Sequence, residues 1–62
     1  MKSLVVLGAG ESGVGAALLG KSKGYKVFVS DGSKIADQFR QELIDASIDF
    51  EEEGHTIEKI KG

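Results

Sequence analysis

The sequence predicts an α/β chain built on a parallel sheet, and three observations lead there. Two short apolar runs, Leu4-Val5-Val6-Leu7 and Val27-Phe28-Val29, have the length and composition of buried strands. A glycine-rich turn, Gly8-Ala9-Gly10-Glu11-Ser12-Gly13, joins the first run to the small-residue segment Val14-Gly15-Ala16-Ala17-Leu18-Leu19. Strand-like and helix-like segments then alternate through short connections. That alternation is the pattern of parallel strands linked by right-handed crossovers.

The first strand is expected over about Ser3 to Leu7, a continuous apolar run of the kind buried on both faces of a parallel sheet. A helix follows from about Ser12 to Lys23, where Val14, Ala17, Leu18 and Lys21 keep helical spacing. Gly24 is placed to end it as the residue after the C-cap. Gly15 and Gly20 each cost about 1 kcal/mol relative to alanine inside a helix. Such residues are kept where the backbone lies close to a sheet or a ligand, and Gly20 reads as helix–sheet packing.

The second strand is expected over Lys26 to Ser30. The second helix runs from about Lys34 to Ala46, with Ser33 as its N-cap. Ile35, Phe39 and Leu43 recur every four residues on one face, with Asp37, Gln38, Arg40, Gln41, Glu42 and Asp45 over much of the rest. A third strand spans about Ile48 to Glu52. Its apolar residues alternate with Asp49 and Glu51, which suits an edge strand with one wet face. Glu51-Glu52-Glu53 reads as the solvated end of that strand. Gly54 breaks the strand, and Ile57-Glu58-Lys59-Ile60 resembles the first turn of a third helix. The order β-α-β-α-β-(α) is a partial Rossmann-like unit, half of a doubly wound sheet or less. Residues 1–62 are therefore read as a single amino-terminal domain cut short from a longer protein, with no second domain in the chain.

The glycine turn carries the chemistry. Its G-x-G-x-x-G spacing has physical meaning because it follows a strand and opens a helix. Gly8 turns the chain off the strand, Gly10 has no Cβ to keep a phosphate from the backbone, and Gly13 lets helix and strand pack closely. The helix start offers free N–H groups and the positive end of its dipole, which favours a pyrophosphate. Asp31 ends the second apolar run, 18 positions after Gly13, where an acid can accept hydrogen bonds from ribose hydroxyls or a base edge. Asp31-Gly32-Ser33 is equally an ordinary strand-to-helix turn, and both readings stand at this point.

Composition excludes several classes. The net charge is −2, and no basic stripe is present to attract nucleic acid or an anionic membrane. There is no cysteine and one histidine, so neither disulfides nor a metal centre can brace so short a chain. The absence of cysteine suits a reducing compartment. The apolar runs are too short to span a bilayer, and one lysine before a short strand is not a signal peptide. A cytoplasmic location is expected. No G-x-x-x-x-G-K-[ST] loop and no G-x-S-x-G elbow occurs. Ser12 suits a phosphate donor or cap better than a nucleophile. His55 has no partner at metal spacing and reads as a turn histidine. Glu11 suits the helix dipole and should point outward, leaving its backbone N–H to face an anion. No catalytic residue and no metal ligand is assigned.

Three blocks taken together carry a resemblance: Val5-Val6-Leu7-Gly8-Ala9-Gly10-Glu11-Ser12-Gly13-Val14-Gly15-Ala16-Ala17, then Val27-Phe28-Val29-Ser30-Asp31, then Glu52-Glu53-Gly54-His55-Thr56. Along essentially its whole length the chain resembles the start of a bacterial Mur ligase, of the kind that adds D-glutamate to UDP-N-acetylmuramoyl-L-alanine in peptidoglycan synthesis. The resemblance implies a cytoplasmic three-domain enzyme whose first domain holds the UDP part of the substrate. ATP and magnesium, and then D-glutamate, would bind domains beyond this chain. It also implies that the turn opening at Gly8 meets the diphosphate, through the backbone N–H groups of Gly10, Glu11, Ser12 and Gly13 and the Ser12 hydroxyl. Asp31, Gly32 and Ser33 would meet the uracil and ribose. With Gly32 and Ser33 after this acid instead of a longer polar side chain, a side-chain grip on uracil from this loop is not expected. On motif alone, the NAD- or FAD-binding domain of an oxidoreductase fits the same physics, as does a non-catalytic ligand-sensing module.

Overall fold

A computed structural model describes residues 2–54. The third helix expected over Ile57 to Ile60, and His55, lie outside the described residues. The elements are β1 (Ser3–Leu7), α1 (Glu11–Ser22), β2 (Lys26–Ser30), α2 (Asp37–Asp45) and β3 (Asp49–Glu51). All pairing is parallel, in the order β1-β2-β3. Val6 stands opposite Val29 and Val29 opposite Phe50, while Val5, Phe28 and Asp49 form the adjacent rank.

Side chains alternate across a strand, so these ranks point to opposite faces. Leu4, Val6, Val27, Val29 and Phe50 turn toward the helices. Val14 and Ala17 of α1, Leu43 of α2, and Ile35 and Ile48 in the flanking loops complete the core with Val27 and Val29. α1 lies close to the sheet at Gly20, where a Cβ would come 2.7 Å from Leu4 Cδ2 and 3.4 Å from Val27 Cγ2. Gly20 is thus a packing glycine, as expected. Gly15 is not, since its missing Cβ faces open space.

The other face, with Val5 and Leu7, has no helix against it among the described residues. β1 is therefore half-buried in its centre and exposed at both ends, with Leu7 64% exposed, instead of buried on both sides as its apolar run suggested. β3 lies at an edge of the sheet among the described residues, in keeping with its alternating sequence.

Both helices end in the same way. In α1 the Tyr25 amide donates to the Gly20 carbonyl and the Gly24 amide to Lys21, with Gly24 at φ +85°. In α2 the Ile48 amide donates to Leu43 and the Ser47 amide to Ile44, with Ser47 at φ +58°. These are the paired bonds of a Schellman cap, which asks for glycine at the left-handed position. Serine there carries a Cβ penalty. Ser47→Gly is expected to stabilise the fold by about 1 kcal/mol, read as a higher urea midpoint with an unchanged slope.

α2 begins later than the sequence suggested. Its N-cap is Ala36, in extended backbone, with no side-chain cap, and not Ser33. The Ser33 amide is held by Asp31 and its carbonyl accepts from the Glu53 amide. Ile35 is 1% exposed, and its N–H and C=O are both taken by side chains, so residues 33–35 stay out of the helical ladder, which opens with the Arg40 amide donating to the Ala36 carbonyl.

Candidate functional site

Parallel pairing brings three connections to one end of the sheet: residues 8–10 after β1, 31–36 after β2 and 52–54 after β3. The crevice outside the carboxyl ends of parallel strands is where such sheets bind ligands.

The glycine turn is built by close contact. Gly8 sits at φ +99°, a region that side chains with a Cβ rarely adopt, and its amide donates to the Ser30 carbonyl at 2.7 Å. A Cβ on Gly13 would fall on the Gly8 carbonyl oxygen and within 2.9 Å of the Gly8 carbonyl carbon. Gly13 is therefore required by the close approach of helix to turn. Gly10 differs. It is the N-cap of α1 in extended backbone (φ −83°, ψ −169°) open to any residue, and nothing lies within 4 Å of where its Cβ would stand. No protein contact calls for glycine at that position.

α1 has no side-chain cap, and its first ladder bond runs from the Val14 amide to the Gly10 carbonyl at 2.9 Å. The amides of Glu11, Ser12 and Gly13 precede that bond, so the helix provides them no carbonyl. Glu11 and Ser12 are exposed beside them. The order of parts matches the expectation from sequence, with an open first turn behind an unobstructed glycine.

Asp31 lies at this end but is engaged within the protein. One carboxylate oxygen, Oδ2, accepts from the Ala9 amide at 2.7 Å, and Oδ1 accepts from the Ser33 amide at 2.8 Å. The second bond is the turn-forming role weighed from sequence. The first ties the strand-two loop to the glycine turn. Gly32 and Ser33 are exposed on the rim.

The acidic run Glu51-Glu52-Glu53 at the end of β3 is not a solvated end. Glu51 accepts from the Ser30 hydroxyl at 2.7 Å. Glu52 Oε1 accepts from the Ile35 amide at 2.8 Å and from Arg40 Nη2 at 2.9 Å, and Oε2 accepts from Arg40 Nε at 3.2 Å. Only Glu53 is exposed as expected, at φ +63°. The Arg40 guanidinium, helped by the Ile35 amide, holds the Glu52 carboxyl below the usual carboxylate range, and the same pairing raises Arg40. The lowered carboxyl makes this contact stabilising above the ordinary carboxylate pKa, and the contribution fades as pH falls through the lowered folded value.

Arg40, Glu52 and the Ala9 amide are parts that sequence reasoning missed. The one sequence signal was a carboxylate directly after a strand, at the end where the glycine turn lies. Among the described residues no cluster of three or more His, Cys, Asp or Glu could hold a metal ion, and no helix is long and apolar enough to cross a membrane. A shallow hollow of about 450 Å³, lined by Ser3, Val5, Lys26, Phe28 and Asp49 among others, follows the beginnings of the strands and lies away from the glycine turn.

Comparison with known proteins shows which family the chain resembles. Residues 3–61 match the family model described as the MurD N-terminal domain. The UDP-N-acetylmuramoylalanine–D-glutamate ligase of Cytophaga hutchinsonii is 58% identical over 59 residues, covering 95% of this chain and 13% of that protein. The ligase of the same name from Porphyromonas gingivalis is 60% identical over 53 residues, covering 86% of this chain and 12% of that protein. The one from Bacteroides fragilis is 55% identical over 60 residues, covering 97% of this chain and 14% of that protein. The chain thus spans about 13% of the length of the first of these relatives. No solved structure matches it. With the domain model matched from residue 3 to residue 61 and a glycine turn open at one end of a parallel sheet, the chain belongs to the MurD N-terminal domain family.

Proposed function

We propose that this chain holds the UDP end of UDP-N-acetylmuramoyl-L-alanine for a cytoplasmic ligase that adds D-glutamate during peptidoglycan synthesis. The observation that supports this reading most directly is Gly10, a glycine that no protein contact demands, at the start of an uncapped helix. The amides of Glu11, Ser12 and Gly13, with the Ser12 hydroxyl, donate to the diphosphate oxygens. Donors aimed at an anion from a helix start need no movement on binding. The absent Gly10 Cβ is the space through which the diphosphate approaches. Asp31, Gly32 and Ser33 form the wall for ribose and uracil, and with short side chains there the contacts come from backbone and from Asp31.

In the complete ligase, ATP with Mg²⁺ supplies the phosphoryl group that activates the substrate carboxylate for attack by the amine of D-glutamate. The part assigned to this chain is to bind and orient the nucleotide end, and none of its residues is given a catalytic role. Gly10→Val in the complete protein tests the reading. Affinity for UDP is expected to fall roughly 100-fold or more, since at least two charge-assisted bonds are lost. Folding stability should change by no more than about 1 kcal/mol, the scale of an N-cap substitution. Retained affinity places the anion elsewhere and defeats the proposal.

A further inference from the structure

We propose that Glu52 and Arg40 are positioning residues for nucleoside recognition: they clamp the backbone of Ile35 and so set the loop Asp31-Gly32-Ser33 at the ligand-facing end of the sheet. The proposal rests on the UDP reading above for the identity of the ligand. Its structural half stands on the contacts alone.

Glu52 uses both carboxylate oxygens. Oε1 takes the Ile35 amide and Arg40 Nη2, and Oε2 takes Arg40 Nε. Arg40 Nη2 also donates to the Ile35 carbonyl at 2.9 Å. Both backbone polar groups of Ile35 are therefore held by one ion pair, while its side chain is sealed in the core at 1% exposure. Residue 35 is a fixed post. Between it and Asp31 stand only Gly32, Ser33 and Lys34, all exposed.

The residues around Glu52 hold the other end of this short loop. The Asp31 amide donates to the Glu51 carbonyl at 3.0 Å, the Glu53 amide to Ser33 at 3.0 Å and the Gly54 amide to Asp31 at 3.2 Å. Segment 51–54 is thus a template along which the loop lies, and Glu52 is its one side chain bonded to the Ile35 post. Asp31 is tied separately to the glycine turn through the Ala9 amide. The clamp bears on the nucleoside half of the site, and among the described residues it makes no hydrogen bond to the first turn of α1 or to the rim residues Gly32 and Ser33.

The arrangement does more than stabilise. The Arg40 and Glu52 side chains are each 24% exposed, so the pair is partly buried and contributes to folding. A bidentate guanidinium–carboxylate pair also gives fixed geometry. Arg40 also meets Asp37 at 2.7 Å, but Asp37 is 91% exposed and contacts neither Ile35 nor Glu52 in this network, which makes it a built-in control.

The test uses the complete protein with Glu52→Gln, Arg40→Lys and Asp37→Asn. Binding of UDP and of inorganic pyrophosphate is measured by calorimetry, and amide hydrogen exchange is followed at residues 32–35 without ligand. Arg40→Lys keeps the charge but loses the fork, so it serves if Glu52→Gln folds poorly. Glu52→Gln and Arg40→Lys are each expected to weaken UDP roughly tenfold and to speed exchange at residues 32–35. Pyrophosphate affinity should stay within about twofold of wild type, and Asp37→Asn should match wild type throughout. Equal loss of UDP and pyrophosphate, or unchanged exchange at residues 32–35, overturns the proposal while leaving the UDP reading intact. A wild-type protein that binds no UDP overturns that reading, and nucleoside positioning falls with it.

Discussion

Gly13→Ala is expected to destabilise the fold by about 3 kcal/mol, the upper range for forcing atoms into filled space. The added Cβ lands on the Gly8 carbonyl oxygen, a backbone atom that cannot rotate away as a side chain tip can. Either α1 lifts from the sheet or the turn opens, and the Gly8 bond to Ser30 goes with it. Gly10→Ala, three residues earlier in the same motif, should cost less than about 1 kcal/mol, because its Cβ enters open space. Urea denaturation of the two variants checks the contrast. Equal losses would mean that the turn is not held as described.

Asp31→Ala carries the second large effect. It leaves the Ala9 amide, on a residue only 2% exposed, without its carboxylate acceptor and removes the bond to the exposed Ser33 amide. A buried donor stripped of a charged partner costs about 1–3 kcal/mol, so the loss should approach 3 kcal/mol. Asp31→Asn keeps one oxygen and should lose about half as much. Affinity for UDP should fall in both, through the nucleoside end and through a loosened link to the glycine turn. If denaturation shows the loss while affinity is untouched, Asp31 is a turn residue alone.

The difference between what was legible and what was not lies in sequence distance. β1, β2 and α1 are announced by contiguous residues: an apolar run, a glycine turn, a small-residue helix, and Gly24 at its end. Each signal lies within the element it predicts, and the boundaries agree to within about one residue. The start of α2 was misplaced because Ser33 and Ile35 are held by Asp31, Glu53 and Glu52, and two of those three partners lie after β3. No local pattern shows that Glu52 reaches back 17 positions to the Ile35 amide. The end of α2 was legible at Ala46, which is its C-cap, but the Schellman form of that end was not, since a residue other than glycine occupies the left-handed position. In the candidate site the glycine turn was readable and its brace was not. The turn is a motif of adjacent residues, whereas the brace is assembled only once the sheet has formed.

The two-sidedness of β1 bears on how a mutational scan of this chain should be interpreted. Neighbouring positions on that strand will answer different questions. A polar residue at Val6 disturbs the packing beneath the helices and reports on whether these elements hold together. The same change at Val5 or Leu7 leaves that packing alone, so any phenotype there reports on contacts outside the helix-covered core. Alternating sensitivity along five consecutive codons would thus separate loss of the core from loss of those contacts.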